Sequence, residues 1–142
     1  MDEFYTALSA SQNKAQYTPE VQKAAQGIND DLLKTAVQIV LAGDDSASVE
    51  GDQAAALKAG FEYAIQLVKM LEQEPNNDEK LDLYKYFKRG HDQTPAKPGM
   101  FALEAKYKYS AWEKISHIST QKAQALYIQQ VDTLIKKYGT RA

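Results

Sequence analysis

The chain has no cysteine, only two histidines and only two arginines in 142 residues. Without cysteine there is no disulfide framework, no thiolate metal site and no cysteine nucleophile. His91 and His117 lie far apart in sequence, and neither stands in an HExxH or comparable ligand spacing. Ser116 and His117 are chain neighbours whose side chains point apart, so they make no catalytic dyad. The acids are scattered, and no GxxxxGKS or GxGxxG phosphate loop is present. No apolar run approaches the roughly 20 residues of a membrane span. The opening MDEFYTAL lacks the basic and apolar regions of a secretory signal. These absences lead us to expect a soluble cytoplasmic protein that is not an enzyme.

What is present is a chain 44% hydrophobic and 25% charged, enough for one compact domain with a core and an extension. The net charge of −2 conceals an asymmetry. Residues 1–57 carry nine acids against three bases, and residues 58–142 carry fourteen bases against ten acids. The second part is therefore the candidate for an anionic partner.

The few prolines and glycines punctuate helical patterns. Residues 1–18 are polar, with weak periodicity. Thr18-Pro19 reads as an N-cap followed by proline in the first turn. Apolar residues then recur through Val21, Ala25, Ile28, Leu32 and Ala36, broken near Gly27, with Asp30 as a cap and Gly43 as a stop. The acidic segment GDDSASVEGD (43–52) reads as a linker. Four more helices follow. The first carries Leu57, Phe61, Ala64, Val68 and Leu71, despite Gly60, which costs about 1 kcal/mol relative to alanine. The second spans 77–89 with Gly90 past its end, the third spans 103–116, and the fourth is capped by Ser119 and ends before Gly139. HDQTPAKPGM (91–100) is a loop. No strand pattern competes, so the fold class is all-α, a helical bundle.

Basic and aromatic residues cluster on these helices. Tyr84, Phe87 and Lys88 share one side of one turn. Lys69 lies beside the apolar stripe of the preceding helix. Lys106 and Lys108 are about 200° apart, so one of them points inward, and Tyr127 begins the stripe of the last helix. Lysines and a tyrosine hydroxyl suit a phosphate, and a ring suits a flat base. The same residues also fit a plain reading, with tyrosines in the core and lysines on its rim.

From Phe61 to Gly139 the chain resembles the acyl-CoA-binding protein family. The elements FEYAIQLVKMLEQEP (61–75), LDLYKYFK (81–88), KPGM (97–100), AKYKYSAW (105–112) and ALYIQQVDTLIKKYG (125–139) come in the family's order and nearly in its register. The resemblance implies an up-down-down-up four-helix bundle over 56–142 that binds long-chain fatty acyl-CoA esters without transforming them and needs no cofactor. By motif position, Tyr84, Lys88 and Lys108 are implied to hold the ribose 3′-phosphate, Phe87 to stack the adenine, and Lys69 and Tyr127 to complete the site. Three departures stand out. RGHDQTPAKPGM gives a shorter loop after Lys88, Asp82 occupies a usually apolar position beside the groove, and Tyr109 replaces a common tryptophan.

Residues 1–55 form an additional N-terminal helical extension. Its segment 30–43 is apolar enough to require a partner, which is either the bundle itself or a transient protein or membrane contact. A weaker expectation is that the acidic extension folds over the basic site. Two other functions compete with acyl-CoA binding: a protein-interaction bundle with a degenerate pocket, and a nucleic-acid-binding bundle. The modest basic excess and the scarcity of arginine argue against nucleic acid.

Overall fold

The computed structural model describes residues 1–141, which form seven α-helices and no strand. They are α1 (Asp2–Gln12), α2 (Pro19–Ala25), α3 (Asp30–Ala42), α4 (Gly51–Leu67), α5 (Asn77–Gly90), α6 (Leu103–Lys114) and α7 (Thr120–Tyr138). A 3-10 turn, Val68–Met70, continues α4. One isolated antiparallel bridge joins Leu71 to Thr140. No helix among the described residues is long and apolar enough to cross a membrane.

Helices α4–α7 make the expected bundle, and α1–α3 pack against the other face of its α4–α7 pair. The two central helices are therefore buried on both sides. Ala56, Leu57, Gly60, Phe61, Tyr63, Ala64 and Leu67 of α4 are all inside. So are Tyr127, Ile128, Val131, Asp132, Leu134 and Ile135 of α7. The apolar face of 30–43 finds its partner here, because Leu33, Ala36, Val37 and Val40 are buried in the common core. A division of the chain at residue 55 falls within α4, whose first two residues, Gly51 and Asp52, lie in the segment read as linker.

Residues 1–18 differ from the sequence expectation. Phe4, Ala7, Leu8 and Ser11 form the buried stripe of a regular helix. The stripe is hard to see because Ser11 is polar. Its hydroxyl is satisfied by the Ala7 carbonyl at 2.9 Å and the Tyr63 hydroxyl at 2.7 Å. α1 has no side-chain cap of its own. Instead the buried Asp132 carboxylate of α7 accepts from the Phe4 N–H at 2.8 Å, placing negative charge at the positive end of the α1 dipole. The cap of α3 is Asn29, which accepts from the Leu32 N–H at 3.1 Å, rather than Asp30. Asp30 accepts from Gln12 at 2.7 Å and so ties α3 to α1. Thr18, Ser119 and Gly43 cap as expected.

The joint between extension and bundle is closed by side chains of α7. The Lys122 ammonium donates to the carbonyls of Val40, Leu41 and Gly43 at 3.1–3.2 Å, and so covers the carbonyl end of α3. Ser119 and Gln121 bond the backbone of Ala47 and Val49. The acidic linker is thus strapped to the start of α7.

Gly60 explains itself here. A β-carbon at that position would lie 2.5 Å from Leu33, which is fully buried and has nowhere to move. Overpacking of this kind costs about 1–3 kcal/mol, more than the roughly 1 kcal/mol of helix propensity that alanine would regain. Gly60→Ala is therefore expected to destabilise the native chain in urea unfolding. In a Leu33→Ala background the same change should be neutral or stabilising. Equal effects in both backgrounds would show that the contact is not the cause.

Candidate functional site

Helices α5 and α6 differ from the rest of the chain. The only fully buried residue of α5 is Gly90, and α6 has none. Their apolar side chains border an open cavity of about 890 Å³, walled by Leu81, Leu83, Tyr84 and Phe87 of α5, Tyr107 and Lys108 of α6, and Tyr127 of α7. Asn77, Asp78, Lys80 and Glu104 line its polar parts.

The cations gather at Tyr84. The Lys88 ammonium lies 5.9 Å from the centre of the Tyr84 ring, and the Lys108 ammonium lies 5.5 Å from it. Lys108 is the inward lysine of α6 and is paired with Glu104 at 3.3 Å. Lys106 turns the other way, to the carbonyl of Met100. Burial, with the nearby Glu62 carboxylate adding to it, pushes the Tyr127 phenol well above its ordinary pKa. Tyr127 therefore stays neutral and offers a hydroxyl rather than a charge.

Of the six residues singled out in the sequence, the cavity brings together Tyr84, Phe87, Lys108 and Tyr127, with Lys88 beside Tyr84. Lys69 stands apart, donating to Gln66 at 3.2 Å. It belongs to the 3-10 turn that follows α4, and it is not among the residues lining the cavity. Asp82 is not a wall of the cavity, and it pairs with Lys85 at 2.9 Å. No residue of 1–55 lines the cavity, so the acidic extension does not cover the basic site.

Behind the cavity stands Phe61 of α4. Its ring meets Tyr127 edge-on at 5.2 Å and His91 at 4.8 Å. His91 meets Phe87 at 4.5 Å. The same imidazole approaches the Phe87 carbonyl at 2.9 Å and Glu62 at 2.8 Å. Gly90, helical rather than past the helix end, lets α5 close on this ring, since a β-carbon there would be 2.6 Å from Phe61. The shorter loop is tied down as well. Arg89 donates to the Ile118 carbonyl at 2.7 Å and to Asp92 at 3.0 Å.

The sequence profile described as "Acyl CoA binding protein" matches residues 58–131. The chain belongs to the acyl-CoA-binding protein family. It is 46% identical over 81 residues to acyl-CoA-binding protein homolog 1 of Caenorhabditis elegans, covering 56% of this chain and 94% of that one. It is 38% identical over 82 residues to acyl-CoA-binding protein of Saccharomyces cerevisiae, with the same coverage. The crystal structure of Oryza sativa acyl-CoA-binding protein 2 superposes with a TM-score of 0.53 at 31% identity, covering 57% of this chain and 92% of that one. All three matches leave out a large part of the chain, consistent with an extension added to the family's bundle.

Sequence reasoning missed the polar start of the family's second helix. Asn77, Lys80 and Leu81 lie on the stripe that leads to Tyr84 and Phe87 at helical spacing, so the signal was available. Glu79, on the same turn, fixes this end of the site. It closes a capping box with Asn76 and accepts from the Tyr138 hydroxyl at 2.6 Å and from Lys137 at 2.9 Å. Those bonds lower its pKa from 4.5 to about 2. A depressed carboxylate pKa stabilises the fold above the unfolded value, and this contribution is lost as pH falls through the folded one. The difference in melting temperature between the native chain and Glu79→Gln should therefore be full above pH 4.5 and close as pH approaches 2. A difference that does not change over that range would sink the assignment.

Proposed function

We propose that this chain binds medium- to long-chain fatty acyl-CoA esters reversibly, as a carrier or buffer, without transforming them. The observation that carries this reading is the placement of the Lys88 and Lys108 ammonium groups around one tyrosine ring, at an open cavity whose other walls are largely apolar. The ribose 3′-phosphate takes the two ammonium groups and the Tyr84 hydroxyl, where charge-assisted hydrogen bonds are strong. The adenine lies against Phe87, and the acyl chain runs along Leu81, Leu83 and Tyr107. The binding unit spans 56–142, with 1–55 as a brace on its far side. Family membership and the names of the relatives support the same reading.

Each buried methylene contributes about 0.8 kcal/mol, reduced by the entropy of ordering a long chain. Two further carbons should then tighten binding roughly tenfold until the groove is full. Titration calorimetry with palmitoyl-CoA, octanoyl-CoA and free CoA tests this directly. Palmitoyl-CoA should bind most tightly. Its 3′-dephospho form should bind far more weakly, and Lys88→Ala or Lys108→Ala should erase much of that difference. Equal binding of the two esters would refute the head-group assignment. Binding that ignores acyl length but falls steeply with salt in the presence of RNA would favour a nucleic-acid surface. No binding of any ester would favour an interaction bundle.

A further inference from the structure

The described residues include five large apolar side chains classed as exposed, and four of them lie within eight residues of one another: Met100, Phe101, Leu103 and Tyr107. Every residue from Gly99 to Tyr107 is exposed, and Phe101 is 91% so. Leu103 and Tyr107 are one helical turn apart on α6 and share a face. Met100 and Phe101 project from the turn just before it, where the Ala102 N–H bonds the Gly99 carbonyl.

The strip is also cationic. Lys97 flanks it, and the Lys106 ammonium sits on the Met100 carbonyl, a neutral partner that leaves its charge uncompensated. Glu104, the one acid between residues 97 and 108, is held by Lys108. Tyr107 belongs both to this strip and to the cavity wall, so the apolar surface runs without a break from the site to solvent.

We propose that Lys97–Tyr107 is a docking surface for anionic lipid membranes, laid beside the mouth of the ligand cavity. Apolar and aromatic side chains with lysines around them match the acyl boundary and the charged headgroups of a bilayer. A protein interface is a poorer fit, since lysine is depleted from such interfaces. The surface itself stands independently of the acyl-CoA reading. Its use does rest on that reading: a ligand tail enters or leaves at Tyr107 directly against lipid rather than through water.

The test is flotation of the full chain with vesicles of phosphatidylcholine alone and of phosphatidylcholine with phosphatidylserine. Binding should require the anionic lipid. It should fall sharply as salt rises from about 0.1 to about 1 M, which shortens the screening length from about 10 to about 3 Å. Met100→Ser combined with Phe101→Ser should weaken vesicle binding at least about tenfold, and Lys97→Ala should weaken it about fivefold. Both variants should keep the native melting temperature, because these side chains are already in solvent, and both should keep palmitoyl-CoA affinity in vesicle-free buffer. Failure of either variant to weaken binding, absence of binding to any vesicle, or concentration-dependent dimers abolished by Phe101→Ser would each overturn the proposal. Vesicle binding without palmitoyl-CoA affinity would leave the membrane surface standing and remove the carrier reading. The converse would do the opposite.

Discussion

The site depends on the meeting of Phe61 with three other residues. Its fully buried ring is approached by Gly90 and His91 from α5 and by Tyr127 from α7. The absence of a β-carbon at Gly90 sets how close α5 comes. That approach in turn decides where Phe87, Tyr84 and Lys88 stand relative to Tyr127. A ring held from three directions is a rigid reference, whereas α5 and α6 supply almost no buried residue of their own. The ligand side of the bundle is thus a pair of half-buried or exposed helices mounted on a buried pair. That division suits a cavity whose apolar walls stay available rather than closing on each other.

The extension strengthens the rigid half. A four-helix bundle has two helices with a face left over, and here α1–α3 cover that face of α4 and α7. The contacts are specific as well as apolar: the Leu33–Gly60 close approach, the Ser11–Tyr63 hydroxyl pair, and Asp132 capping α1 across the interface. Tyr63 and Asp132 are buried polar-bearing residues that would be costly to leave without partners. In this chain they are satisfied by the extension. The segment is therefore better understood as a brace for the reference ring than as a cover for the site.

Much of this was legible in the sequence. Helix stops and starts at Thr18, Ser119 and Gly139 follow from backbone chemistry that acts within a few residues. The cluster at Tyr84, Phe87 and Lys88 follows from helical period alone. What was not legible depends on long-range packing. The stripe of α1 was masked because Ser11 becomes an acceptable core residue only once the Tyr63 hydroxyl faces it. Lys69, named from its motif position, sits in a 3-10 turn and does not line the cavity. Gly60 looked like a weak point in its helix and Gly90 like a residue past the end of one, yet each marks a place where another side chain occupies the space of its missing β-carbon. His91 was read as the start of a loop, yet it caps α5 and packs between two rings.

Asp82 and Lys85 show how one helix separates its two tasks. They lie on α5 beside residues of the cavity wall, yet they pair with each other at 2.9 Å, one turn apart. The charge that an apolar groove would reject is thus neutralised locally and kept to the side. At the two ends of the same helix, Glu79 is bonded to α7 and Arg89 to the segment before α7. Both ends of α5 are therefore anchored through polar contacts while its middle faces the cavity. For a helix whose apolar residues are only half-buried, these anchors at the ends add to the Phe61–Gly90 contact and to the packing of Leu83, Tyr86 and Phe87 on the core, and together they hold Tyr84 and Lys88 in register with Lys108 across the cavity.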